Sequence, residues 1–322
     1  DWAKLLVYAD FLCIWAGGNV INALLVSENV KSIYDYSFNA DVSVRQVMIY
    51  LSFPLIMLCW IPNLKLLAIC SATANVANIS SIVLILYVNV FHLLKSVLVD
   101  RVAVGSLSRV PFFLGVILIT VNSTGIVMPL KSEMKKPASL SSRFGVMNLA
   151  YLPVSFLYAI FGLTCYLGYG KDVKENVILN MADNHFGKIV VGLYATSIIF
   201  TYPLASYVAF DIVWNNILMG KVRRDSLYTA KKYCCRTLVA ALSILVAFVA
   251  PNVELFVSLT GNVGVSLDSI IFPALAELLV ESRHQPNNAN LCKNIVYIIL
   301  GVIICLSGLS DSLASFLKSE YS

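Results

Sequence analysis

The sequence predicts an all-α integral membrane protein, and three observations support this prediction. Hydrophobic residues make up 59% of the 322-residue chain and charged residues only 13%, whereas soluble chains have roughly 25% charged residues. The mean hydropathy is +0.81. About nine apolar runs approach or exceed the length that a helix needs to cross a bilayer.

We expect one transmembrane domain over residues 1–322, because no hydrophilic insert is long enough to form a soluble domain. Apolar runs of about 20 residues are taken as membrane spans. The second run is short and the sixth is long. In chain order, the predicted spans are 4–29, 46–61, 66–92, 110–132, 144–169, 187–215, 232–250, 252–279 and 293–316.

The first span begins almost at once, and the chain starts with Asp1 rather than Met. No signal peptide with a basic flank and a cleavage site precedes this span. The sequence is therefore interpreted as amino-terminally truncated.

The basic residues lie mostly in short loops, where they indicate orientation rather than polyanion binding. We expect no nucleic acid partner, although the net charge is +5. The two most basic loops, 131–143 and 221–236, fall on the same side of the membrane. This bias predicts a cytoplasmic start, and the nine spans then place the carboxyl terminus on the opposite side.

The sequence does not indicate an enzyme, because we find no nucleophile with a base and no phosphate-binding loop. The eight cysteines have no metal-ligand spacing and are interpreted as packing residues. We therefore predict no metal site, no catalytic residue and no cofactor. A seven-helix receptor is disfavoured by the number of spans.

The fourth run is interrupted near its middle by Asn122, Ser123, Thr124 and Gly125. An unpaired backbone group in a bilayer costs several kcal/mol, so irregular backbone persists only where protein, water or a bound solute satisfies it. We expect a broken helix at 122–125 and a binding site for a polar solute. The alternative is a packed helix in which Ser and Thr bond to carbonyls one turn earlier.

Four segments carry a resemblance to a known family, and they occur in its order and at its spacing. They are VSENVKSIYD from Val26, GIVMPLKSEMKKP from Gly125, TYPLASYVAFDI from Thr201 and APNVELFVSLTGNVG from Ala250. Together they resemble the proton-coupled amino acid transporters of the amino acid/auxin permease family. The resemblance covers essentially the whole chain, and it implies that the nine spans are family helices three to eleven, with the first two missing.

The resemblance implies a LeuT-like fold, in which two inverted five-helix repeats each contain a helix that breaks at the substrate. It also implies secondary active transport of small neutral amino acids, coupled to protons, by alternating access around 122–125. The implied partners are small amino acids, protons and the lipid bilayer of the plasma or endolysosomal membrane. The alternatives are a membrane amino acid sensor that does not transport and an inactive fragment.

The resemblance also implies which residues contact the substrate. The family usually has Glu where Asn122 stands, so one titratable group of the usual proton linkage is absent. Asn22 shares a helical face with Asn19, and this face either lines the substrate path or forms hydrogen bonds between helices. The predicted substrate-binding residues are Asn122, Ser123, Thr124, Gly125, Asn22, Thr201, Tyr202 and Ser206.

Asp268 is the candidate for proton coupling, because an acid inside a membrane span is costly and functional by default. The alternative is an acid that faces a water-filled vestibule or pairs with a nearby polar group. Asp10 and Asp211 are expected near the cytoplasmic interface, paired with loop Lys or Arg residues. Gly261 and Asn262 form either a flexible point or a close helix contact.

Overall fold

The computed structural model of the chain is helical through most of the residues that it describes. These residues are 2–38, 41–62, 64–95, 102, 105–122, 131, 134, 136–140, 142, 144–174, 176–181, 185–218, 226–284 and 288–321.

Each predicted span contains a helix among its described residues. The helices are α1 (Trp2–Phe38), α2 (Val44–Cys59), α3 (Leu64–Lys95), α4 (Val110–Val121), α5 (Val146–Tyr169), α6 (His185–Asp211), α7 (Tyr228–Val249), α8 (Val253–Ser258), α9 (Phe272–His284) and α10 (Asn288–Tyr321). Two π-helical stretches, Leu259–Val265 and Leu267–Ile271, lie between α8 and α9, and we call residues 259–271 the π segment.

Seven helices of the described part are long and apolar enough to cross a membrane, with α8, the π segment and α9 counted together. The all-α membrane class predicted from the sequence is therefore confirmed. Two helices are shorter, since α2 has 16 residues and α4 has 12.

The first helix runs well past the predicted end of its span at residue 29 and continues to Phe38. Its extension carries charged side chains, and Lys31 Nζ lies 3.5 Å from Asp35 Oδ2 one turn later. The apolar run ends where the helix leaves apolar surroundings. Ion pairs between side chains four residues apart stabilise the helix beyond that point. Hydropathy therefore marked the end of the apolar run rather than the end of the helix.

Side-chain contacts define both ends of α2. Ser43 Oγ accepts a hydrogen bond from the Gln46 amide, and Gln46 Oε1 accepts one from the Ser43 amide. This reciprocal arrangement satisfies two amide groups at a helix start. Beyond the other end, the buried Arg236 donates from Nη1 to the Ile61 carbonyl at 2.6 Å, and its guanidinium lies 4.6 Å from the Phe210 ring centre.

The described residues form two compact units, each built from separate stretches of the chain. The first unit comprises Asp1–Ile14, Ala103–Leu163 and Val257–Ser322, and the second comprises Trp15–Val102 and Thr164–Phe256. The single transmembrane domain and the LeuT-like repeat stay predictions.

The core of the second unit joins α1, α2, α6 and α7. The largest fully buried side chain in it is Tyr202. Small residues on α1 and α7 let the helices approach closely, and aliphatic side chains fill the space between them. The cluster contains Val20, Ala23, Leu24, Met48, Leu55, Cys59, Tyr202, Ala240, Ile244 and Ala247.

Glycines let the helices of the first unit approach the π segment closely. A β-carbon at Gly261 would overlap the carbonyl oxygen of Gly115 on α4, and one at Gly308 on α10 would overlap the Asn262 side chain. Asn262 is fully buried, and its Nδ2 donates to Ser258 Oγ at 3.2 Å. The close-contact interpretation of Gly261 is therefore confirmed, because no larger residue would fit without a shift of backbone.

Candidate functional site

The fourth helix ends at Val121, far before the predicted end of its span at residue 132. Asn122 follows it in an extended conformation, with φ −67° and ψ 121°. The predicted break thus begins with a helix end at Asn122. The other residues of the predicted break, Ser123, Thr124 and Gly125, lie outside the described residues.

A helix end of this kind presents unpaired polar backbone to its surroundings. The last four carbonyls of an α-helix lack partners within the helix, and the aligned peptide dipoles place partial negative charge there. In the middle of an apolar run, such carbonyls favour a cation or an N–H donor. The end of α4 therefore favours a group with positive charge or N–H donors.

The helix end contacts the π segment through two side chains. Ser269 Oγ donates a hydrogen bond to Asn122 Oδ1 at 3.4 Å. Ser269 directly follows Asp268, whose side chain is only 4% exposed. The two residues that the sequence singled out in different spans, Asn122 and Asp268, are thus one hydrogen bond and one peptide apart.

A second acid of the first unit is also buried. Asp10 of α1 is 8% exposed. No ion pair joins Asp10 to a cation among the residues that the structure describes, so its expected pairing with a loop Lys or Arg stays a prediction.

The predicted site residues of α1 and α6 belong to the second unit. Ser206 Oγ donates to Asn19 Oδ1 at 3.3 Å, which joins the two helices. Thr201 Oγ1 donates to the Ser197 carbonyl of its own helix at 2.9 Å. Asn22 is half-buried. The interhelical role is therefore confirmed for Asn19, and the substrate roles of Asn22, Thr201 and Ser206 stay predictions.

Tyr202 is fully buried in the core of the second unit. Its hydroxyl lies 2.9 Å from Ser243 Oγ on α7, and it donates to the Ala240 carbonyl at 3.4 Å. A buried hydroxyl with two protein partners contributes to stability, because an unpaired one would lose its hydration without compensation.

We expect Tyr202→Phe to lower the free energy of unfolding by about 1 kcal/mol, because it removes the hydrogen bonds of the buried Tyr202 hydroxyl, while Ser243 keeps its own bond to the Ala240 carbonyl. Thermal unfolding of the purified protein measures this loss. Ser80→Ala on the exposed face of α3 is a matched control, since the Ser80 hydroxyl bonds only its own helix at Val76. Unchanged stability with weakened amino acid binding would place the Tyr202 hydroxyl at the substrate instead.

The sequence analysis missed Ser269 of the first unit, and it considered Asp10 only as a helix-end charge. Ser269 had no distinguishing signal, because serines are common inside membrane helices. Asp10 had one, since it stands in the apolar run LLVYADFLCIW, where an acid is functional by default. Asp10, Asn122, Asp268 and Ser269 all belong to the first unit.

These features define a multi-pass helical membrane protein with a helix end beside buried acids. The family described as "Transmembrane amino acid transporter protein" matches residues 1–314. The chain belongs to this family, which confirms the resemblance found in the sequence. It is a family of transporters rather than enzymes, as the sequence predicted.

Three relatives show the same similarity. The chain is 27% identical to the proton-coupled amino acid transporter-like protein pathetic of Drosophila melanogaster, over 98% of the chain and 67% of the relative. It is 28% identical to amino acid transporter AVT3C of Arabidopsis thaliana, over 85% of the chain and 60% of the relative. It is 30% identical to vacuolar amino acid transporter 3 of Schizosaccharomyces pombe, over 60% of the chain and 29% of the relative. The chain thus spans about two thirds of the fly relative and less of the other two.

Proposed function

We propose that the protein is a secondary active transporter of small neutral amino acids, coupled to protons, that alternates access around the break at 122–125. The observation that carries this proposal is the end of α4 inside an apolar run, with Asn122 bonded to Ser269 beside the buried Asp268. Membership of the transporter family supports the general activity.

A zwitterion suits this arrangement better than a charged solute does. The carbonyl end of α4 attracts the ammonium group. In a broken helix, the amino end of the following half attracts the carboxylate, and Ser123, Thr124 and Gly125 are proposed for that contact. The two helix ends then bind the ammonium and the carboxylate group of the amino acid. The side chain of the amino acid contacts the rest of the pocket.

Proton coupling is proposed for Asp268. The fly relative is named as proton-coupled, and this supports the same coupling here. Asn122 has no titratable group, so Asp268 is the nearest acid to the helix end along the contacts of the described residues. The amide at position 122 also favours a second candidate, an amino acid sensor that binds without flux.

The membrane is proposed to be the plasma membrane or an endolysosomal membrane. The name of the fission yeast relative includes a vacuolar setting. In an endolysosomal membrane, the acidic lumen would supply the proton gradient that drives amino acids out of the lumen.

Uptake with competition tests the proposed substrates. Radiolabelled alanine uptake is measured in vesicles that contain the protein. We expect uptake, with competition by excess glycine and proline and none by arginine or glutamate. Binding of alanine without flux in a protein that reaches the membrane would support the sensor instead.

A further inference from the structure

The stretch 221–236, which ends in the first turns of α7, carries an excess of positive charge. It contains six Lys or Arg residues and one acid, Asp225. Three of the basic residues, Lys231, Lys232 and Arg236, lie on α7. This stretch is predicted to lie on the cytoplasmic side of the membrane. The positive charge is thus concentrated at one predicted membrane surface.

Two of these cations flank one aromatic ring of α6. The Lys232 Nζ lies 5.9 Å from the centre of the Phe210 ring, and the Arg236 guanidinium lies 4.6 Å from the same centre. The guanidinium also lies 5.3 Å from the centre of the Tyr207 ring. Because the faces of aromatic rings attract cations, these contacts hold the two positive groups close together.

The Arg236 guanidinium contacts carbonyls as well as rings. Its Nη1 donates to the carbonyls of Ile61 at 2.6 Å and Cys59 at 3.5 Å. Arg236 is only 5% exposed. Among the described residues, no ion pair joins Arg236 or Lys232 to an acid. A buried cation without a counter-charge is costly, so an anion beside it would stabilise the fold.

The described acid nearest in sequence to the Phe210 ring is Asp211. Its Oδ1 accepts a hydrogen bond from Asn215 Nδ2 at 2.7 Å. One carboxylate cannot neutralise the three basic residues in the first turns of α7. Positive charge therefore remains there even if Asp211 compensates one of them.

Aromatic residues of α7 and of the π-helical stretch Ile212–Leu218, which continues α6, lie beside the cations. Phe210 stacks on Trp214 with ring centres 5.9 Å apart, and the Trp214 and Tyr228 rings meet edge-on at 5.6 Å. The Trp214 Nε1 donates to the Tyr228 hydroxyl at 3.4 Å. Trp and Tyr are enriched where a membrane protein meets the lipid headgroups. We therefore expect the neighbouring cations to lie at the depth of the headgroups.

An exposed apolar face of α7 continues from the cations into the membrane span. Leu238, Leu242 and Leu245 are each more than half exposed, and their spacing of four and three residues places them on one helical face. Lys231 precedes Leu238 by two helical turns and lies on the same face. Lys232 is the next residue. A lipid with its headgroup beside Lys232 can therefore extend its acyl chains along the leucines.

We infer that the cytoplasmic end of α7 binds an anionic phospholipid, with the phosphate beside Lys232 and Arg236 and the acyl chains along the exposed leucines of α7. The phosphate supplies negative charge that the basic residues lack, and it accepts hydrogen bonds from both Lys and Arg. Anionic lipids are abundant in the cytoplasmic leaflet, which agrees with the predicted side. This site goes beyond the proposed function, because it requires neither flux nor a bound amino acid.

Lipid binding to the purified protein in detergent tests the site. Bound lipid is measured with radiolabelled phosphatidylglycerol, which is anionic, and with radiolabelled phosphatidylcholine, which carries no net charge. The variant is Lys232→Gln, because this half-buried lysine has no part in the carbonyl bonds of Arg236. The matched control is Lys188→Gln at the other end of α6, since Lys188 Nζ also lies over a ring, 3.6 Å from the centre of Tyr36.

We expect phosphatidylglycerol to bind, and an equal concentration of phosphatidylcholine not to displace it. Lys232→Gln should lower the affinity for phosphatidylglycerol about fivefold, which corresponds to about 1 kcal/mol for one basic residue. Lys188→Gln should keep that affinity within about twofold, because its ammonium lies at the other end of the helix. Phosphatidylglycerol should also raise the unfolding temperature of the unmodified protein, since it binds the folded state.

Equal affinity for the two lipids would overturn the inference, and so would equal losses of affinity in Lys188→Gln and Lys232→Gln. Glycerol phosphate, which has a phosphate but no acyl chains, distinguishes a lipid site from a site for free phosphate. Displacement of phosphatidylglycerol by an equal concentration of glycerol phosphate would contradict a lipid site. An unfolding temperature that phosphatidylglycerol does not raise would mean that an acid of the chain neutralises the cations instead.

Discussion

Gly261→Ala is expected to lower the free energy of unfolding by about 3 kcal/mol, at the upper end of the usual cost of overpacking. The added carbon would overlap the Gly115 carbonyl oxygen and lie 2.7 Å from its carbon and 2.9 Å from its Cα. These are backbone atoms of another helix, so no side chain can rotate out of the way. Relief requires α4 to move away from the π segment.

The matched control is Gly18→Ala on α1. No atom outside its own helix lies within 4 Å of a β-carbon at Gly18. Because Ala is a better helix former than Gly by about 1 kcal/mol, this variant should be as stable as the unmodified protein or slightly more so. Thermal unfolding of both purified variants measures the difference. If Gly261→Ala unfolded at the same temperature as the unmodified protein, α4 and the π segment would not be in backbone contact.

Asn122→Leu is expected to reduce amino acid uptake at least tenfold, which corresponds to about 1.4 kcal/mol of lost interaction. Leucine has the same branched heavy-atom skeleton as asparagine but is larger, and it cannot accept the hydrogen bond from Ser269. It also extends the apolar run across the end of α4, which favours continued helix over a break. Both effects remove the polar geometry that the substrate is proposed to use.

Thr120→Val is the matched control on the same helix. Its hydroxyl bonds the Val116 carbonyl one turn earlier and faces the exposed side of α4. This variant should keep uptake within about twofold, because the lost bond is local to an exposed helix face. Full uptake by Asn122→Leu, with protein present in the membrane at normal amounts, would contradict a substrate site at the end of α4.

The membrane helices were predictable from the sequence, because a helix that crosses a bilayer requires a long run of apolar residues. The ends of the helices were less predictable. The turns of α1 beyond residue 29 are charged, and ion pairs such as that between Lys31 and Asp35 stabilise them rather than apolar contacts. The helix end at Asn122 was predictable because small polar residues interrupt an apolar run. Sequence alone could locate this break but not its neighbours.

The neighbours of the break depend on contacts between distant parts of the chain. Ser269 and Asn122 are 147 residues apart, and nothing in either local sequence indicates their hydrogen bond. Asp10 was interpreted as a helix-end charge because its position along α1 was known and its surroundings were not. The small size of Gly264, which lets α1 approach the π segment, was equally undetectable without the fold.

Accumulation of radiolabelled alanine and proline against a concentration gradient tests the central claim most directly. The protein is reconstituted in vesicles, with an external pH of about 5.5 or about 7.4, on either side of the range in which a perturbed carboxyl group titrates. We predict accumulation at the acidic pH, and its loss in Asp268→Asn. Amino acid binding with no flux at either pH would contradict the transporter and favour a sensor.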